Sequence, residues 1–143
     1  MELSELKEIY RSYEAALDKV YQKASPYAGL LGQGSLGDPR FDPCNREFYD
    51  KVGQWVANFA ASGPSSDAAY QVSRFLLEAA GTNKKARTYW YYLVCQGCVS
   101  KLVPLLSREN CADLRDRYGK AYPKRERLPI QDQLYKQLTN AAK

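Results

Sequence analysis

Residues 89–106 read YWYYLVCQGCVSKLVPLL, and the fold turns on whether this run is a strand or a helix. As a strand, 89–94 would be a buried element of a sheet, with Cys95 and Cys98 poised at its tip. As a helix, four consecutive aromatics cover every side of the rod, which suits a central, fully surrounded helix with its hydroxyls reaching polar partners. Gln96, Gly97, Ser100, Lys101 and Pro104 interrupt the apolar character. A bilayer core demands about 20 mostly apolar residues, so a buried core element is the better reading. Pro104 cannot donate to the carbonyl of Ser100, and a bend or break is expected there.

The flanking sequence favours the helix. Upstream, Leu3, Leu6, Tyr10, Tyr13, Leu17, Val20 and Ala24 recur three and four apart, with Ile9, Ala16 and Tyr21 widening the stripe. This is the broad buried face of a bundle helix, ending near Ser25-Pro26. Residues 26–42 hold no period and are rich in Gly and Pro, which predicts a long loop. Asp42-Pro43 reads as an N-cap followed by proline at the first helical position. Phe48, Tyr49, Val52, Trp55, Val56, Phe59 and Ala60 then share one side of a second helix, stopped by Ser62-Gly63-Pro64. A third helix restarts at Ser65, Ser66 and Asp67, buries Ala68, Val72, Phe75, Leu76 and Ala79, and ends at Gly81.

Downstream of a fourth helix beginning near Thr82-Asn83, Ser107 can cap a fifth that buries Cys111, Leu114 and Tyr118 and ends at Gly119. After a basic link at about 119–129, Pro129 opens a last helix with Ile130, Leu134, Leu138 and Ala141 on one face. The remaining sequence contains no strand-like run and no repeat of helical-solenoid length. The expectation is an all-α, single-domain bundle of five to six helices over residues 1–143.

With 143 residues and 45% hydrophobic content, the chain is long enough for one real core. Histidine is absent, which removes the commonest general base, the usual zinc nitrogen ligand and the physiological pH switch. The N-terminal residues show no charged region followed by an apolar one, so a cytoplasmic protein without membrane association is expected, with Cys44, Cys95, Cys98 and Cys111 as thiols. Charge is uneven: residues 1–72 carry seven Lys/Arg and ten Asp/Glu, whereas residues 73–143 carry fourteen and six. Such asymmetry suits an anionic partner or a contact between copies, and equally suits solvated helix faces.

Several motifs bear on chemistry. GQGSLG at 32–37 matches G-x-G-x-x-G, but a dinucleotide site needs a strand before it and a helix directly after it. Here a helix precedes the run and Asp38-Pro39 follows. Cys95-Gln96-Gly97-Cys98, preceded by WYYLV and followed by an apolar segment holding a proline, resembles the active-site layout of the thioredoxin family. That resemblance implies a thiol activated at a helix start and a fold with several further strands. The chain offers no such strands, so Cys95 and Cys98 read better as small core residues one helical turn apart. A zinc site built on Cys95, Cys98, Cys111 and Cys44 lacks a second knuckle and has no histidine to call on. The run at 97–107, GCVSKLVPLLS, looks like one unit of an armadillo repeat, which implies helix-on-helix packing but is not repeated.

The clearest surface feature is the basic link. Lys120, Lys124, Arg125 and Arg127 crowd together, with Lys84, Lys85 and Arg87 at another helix start and Tyr118 and Tyr122 nearby. Cations interleaved with aromatics can contact phosphates and stack on bases. Asp113 and Asp116 lie beside Arg115 and Arg117, a spacing that ordinarily makes surface ion pairs. The expected function is a helical interaction or regulatory module, non-catalytic and without cofactor, meeting a protein partner or a second copy of itself. Nucleic-acid association through Lys120, Lys124, Arg125 and Arg127 is the alternative, and thiol redox or metal chemistry at Cys95 and Cys98 comes after it.

Overall fold

A computed structural model describes residues 2–23, 42–82 and 89–143. They form six α-helices: α1 (Leu3–Lys23), α2 (Asp42–Ala61), α3 (Ser66–Thr82), α4 (Tyr89–Leu102), α5 (Arg108–Ala121) and α6 (Pro129–Ala141). No strand occurs among the described residues, and the protein is an all-α helical bundle. Residues 89–102 are helical, so the CxxC lies inside a helix rather than at the tip of a strand. The thioredoxin-like layout is thereby excluded for this segment. Of the expected loop at 26–42, Asp42 is the first residue of α2; residues 26–41, including the glycine run, and the cations at 84, 85 and 87 lie outside the described residues.

Helix α4 contacts α2, α3 and α6, a central position, although Gly97 and Lys101 leave one side of it open to solvent. Its buried residues Val94, Cys95, Cys98, Val99 and Leu102 join one continuous core with residues from all five other helices. From α1 come Leu6, Tyr10, Tyr13 and Leu17, and from α2 Phe48, Val52, Trp55, Val56 and Phe59. The α1–α2 seam is aromatic: the Tyr13 and Phe48 rings stack at 4.2 Å, and the Tyr13 hydroxyl donates to buried Asn45 at 2.6 Å. Tyr10 sets its ring edge-on to Phe75 of α3 at 6.0 Å.

Termini follow elementary capping chemistry. Gly63 takes φ +69° after α2, the left-handed position that a side chain disfavours. Ser65 Oγ accepts from the Ala68 amide and Ser107 Oγ from the Asn110 amide, each satisfying a first-turn donor. Pro104 ends α4 in a 3-10 turn, Val103–Leu105. The starts of α3 and α5 are tied together, because Ser66 Oγ accepts from the Ser107 amide at 2.7 Å and from the Asn110 side chain.

Some expectations need correction. Tyr49 is 53% exposed; it lies about 100° around the helix from Phe48, and only one of the two can face the core. In α3 it is Ala69, not Ala68, that is fully buried, and Ser73 is buried beside it. Helix α3 runs through Gly81 to Thr82. Helix α5 does not stop at Gly119 but continues to Ala121, so the link between α5 and α6 is shorter than expected, residues 122–128. Gly119 does not terminate the helix; its missing side chain admits the Tyr135 ring of α6, 3.1 Å from where a Cβ would stand. In α6, Gln131 is buried with Leu134 and Leu138, while Ile130 is only half-buried.

Candidate functional site

The corner where α5 turns into α6 gathers five cations. Lys120 lies in the last turn of α5, where a positive charge offsets the helix dipole. Lys124 and Arg125 sit on a 3-10 turn, Lys124–Glu126, and Arg127 leads into α6, whose exposed Lys136 follows two turns later. Pro123 and Pro129 bracket the turn, and Gln131 Oε1 accepts from the Leu128 amide at 2.9 Å. That last bond is half of a capping box.

Arg127 differs from its neighbours. Its side chain is 9% exposed and its Nη1 pairs with Asp132 at 3.2 Å. Nε donates to the Tyr122 carbonyl at 2.8 Å, and the guanidinium lies 3.9 Å from the centroid of the Tyr135 ring. Asp132 is shared with Lys136 at 3.0 Å, and these contacts, the Lys136 hydrogen bond foremost, hold its carboxyl below the usual range. Arg127 is therefore a clip that ties the link to α6, and it is not available to a ligand in the way the sequence suggested.

Lys120, Lys124 and Arg125 are exposed, and none of the three forms an ion pair among the described residues. The carboxylates of α5 and α6 that could neutralise them are committed: Asp113 to Arg117, Asp116 to Arg115, and Asp132 to Arg127 and Lys136. Glu109 and Glu126 are exposed and outside those pairs. Tyr118 is buried, with its hydroxyl accepting from Gln96 at 2.6 Å, so it offers no stacking face. Tyr122 is half-buried, its ring 5.1 Å from that of Tyr118. Exposed Leu128 adds one apolar side chain.

The thiols lie elsewhere. Cys95 and Cys98 share a side of α4 and are 0% and 6% exposed. Burial pushes the Cys98 thiol up to about 11, which leaves little thiolate at neutral pH. Cys111 is buried in α5, and burial raises its thiol as well. No cluster that could hold a metal is found among the described residues. Cys44 is half-buried in a cleft of about 30 Å³ between α1 and α2, beside Ser12 and the Lys51–Glu47 ion pair.

Two polar arrangements escaped the sequence reading. The Tyr70 hydroxyl of α3 donates to Asp113 of α5, which also accepts from Arg117 Nε at 2.8 Å; the Tyr70 bond foremost holds the Asp113 carboxyl below its ordinary range. Arg117 also reaches Glu78 at 3.9 Å. Only the i,i+4 spacing of Asp113 and Arg117 is visible in sequence. The second arrangement is the buried Gln96–Tyr118 pair, for which no local spacing exists. No family model matches this sequence, and no curated protein and no solved structure matches it either. No helix among the described residues is long and apolar enough to cross a membrane.

Proposed function

We propose that this chain is a cytoplasmic, non-catalytic interaction module that takes an anionic partner on the α5–α6 corner. The observation that carries the reading is the division of labour at the corner: Arg127 fixes the turn, Lys124 and Arg125 remain exposed and unpaired on it, and Lys120 does so on the adjoining last turn of α5. A turn whose backbone is already tied down loses less freedom when its cations meet a ligand than a loose loop does. A purely solvated loop would leave Arg127 in water, whereas its side chain is 9% exposed and clipped to α6. Thiol chemistry is the weaker reading, because the Cys98 thiol is buried and stays protonated.

Heparin chromatography tests the reading. The wild-type chain is expected to be retained, and the Lys120→Ala/Lys124→Ala/Arg125→Ala variant to elute at clearly lower salt. A charge-matched control variant at Lys7, Lys19 and Arg46, three exposed cations on α1 and α2, should elute later than the triple variant. Equal elution of the two variants would end the proposal. Light-scattering mass across a concentration series then separates a foreign partner from a second copy.

A further inference from the structure

The chemistry of the corner discriminates between kinds of anion. Two of its three unpaired cations are lysines, and lysine is depleted at protein–protein interfaces, which favour aromatic and arginine anchors in desolvated pockets. A stable protein contact also buries about 800 Å² on each partner; here Leu128 is the one exposed large apolar residue of the corner. A phosphate backbone needs only point charges near its oxygens, and gains from the release of condensed counterions. We infer that the ligand of Lys120, Lys124 and Arg125 is the phosphodiester backbone of nucleic acid, bound without regard to base sequence. This inference rests on the anion-binding reading above.

Sequence independence follows from what the corner lacks. Base readout requires side chains placed in a groove, and single-strand binding is strengthened by exposed aromatic platforms. Tyr118 is buried and Tyr122 packs on it, while Arg127 is spent on Asp132 and the Tyr122 carbonyl, which leaves Arg125 as the one unpaired guanidinium of the corner, on a short turn with no recognition helix or strand to set it in a groove. What remains is backbone contact through about three phosphates, a weak and strongly salt-dependent interaction.

Fluorescence anisotropy with a labelled DNA duplex of about two helical turns tests this, beside the same duplex with permuted sequence and polyglutamate of matched charge. For about three contacts, affinity should fall roughly forty-fold between about 50 and about 200 mM NaCl. Lys124→Ala alone should lower the log–log salt slope by about one, and the triple variant should flatten it; a near-ultraviolet circular dichroism spectrum like the wild type's checks that each variant is folded. Permuted sequence should change affinity less than threefold. Polyglutamate binding as tightly as the duplex would overturn the inference and assign the corner to an acidic protein. Duplex affinity unchanged in the triple variant would overturn it too. If heparin retention depends on the three cations while the duplex does not bind, this inference fails and the anion-binding reading stands; if neither ligand responds, both fail.

Discussion

The guanidinium of Arg127 sits over the ring of Tyr135, 3.9 Å from its centroid, while Gly119 of the preceding helix faces an edge of the same ring. Tyr135 thus joins three segments: the end of α5, the link and the first turns of α6. This is why the link holds one shape although five of its seven residues, 123–126 and 128, are exposed.

Removing the clip should loosen that corner before the rest of the bundle. Arg127→Ala loses a ring contact and charge-assisted hydrogen bonds at a nearly buried site, a cost of roughly 2 kcal/mol. Arg127→Lys should recover less than half, because an ammonium cannot bond Asp132 and the Tyr122 carbonyl while lying flat on the ring. Urea unfolding measures both. A loss under about 0.5 kcal/mol for Arg127→Ala would show that the clip is an ordinary surface ion pair.

The architecture was legible because it is periodic. Leu6, Tyr10, Tyr13 and Leu17 recur at helical spacing and are buried, and Ser107 caps the helix that follows it. The role of Arg127 was not legible. Lysine and arginine in a short polar run look alike in sequence, and what separates Arg127 from Arg125 is the position of Tyr135 and Asp132 on the next helix. Gly119 misled for a related reason: a glycine before a polar run is a common helix stop, but here it serves packing between helices.

The glycines provide an internal contrast. Gly97 is exposed in α4 and a Cβ there would meet nothing within 4 Å, so Gly97→Ala should stabilise the protein by about 0.5–1 kcal/mol through helix propensity. Gly119→Ala makes the same gain but drives a Cβ to 3.1 Å from Tyr135 Cε2, and Arg127 already covers that ring. It should be neutral or destabilising. In a Tyr135→Ala background the same change should become stabilising. Thermal midpoints of the four variants complete the cycle, and a gain from Gly119→Ala with Tyr135 intact would refute the tight packing.

Gln96 and Tyr118 form a buried pair in which one atom, Gln96 Oε1, has no hydrogen-bond partner. Tyr118→Phe should cost about 1–3 kcal/mol, because it removes the acceptor for the amide while leaving the amide buried. Adding Gln96→Met removes both the stranded donor and the orphaned oxygen, and should restore most of that stability. Equilibrium urea unfolding reads the coupling. Additive losses in the double variant would mean that Gln96 contributes through contacts other than this bond.

The Cys98 thiol gives the fold a specific alkaline sensitivity. Its pKa is raised by burial to about 11 from an ordinary value of 9.0, so between those limits the unfolded chain has released a proton that the folded chain retains. Stability from this group is therefore complete below about pH 9 and is lost as pH rises through the folded value, by at most roughly 3 kcal/mol. Cys98→Ala should show a shallower decline in urea midpoint between about pH 8.5 and about pH 10.5 than the wild type, and the difference between the two curves cancels the tyrosines and lysines that titrate in the same window. The same burial predicts that iodoacetamide modifies Cys98 in the native protein far more slowly than in urea-unfolded chain at equal pH. Parallel decline of the two stability curves, or native alkylation at the unfolded rate, would place the thiol at the surface and reopen the reactive reading of the CxxC.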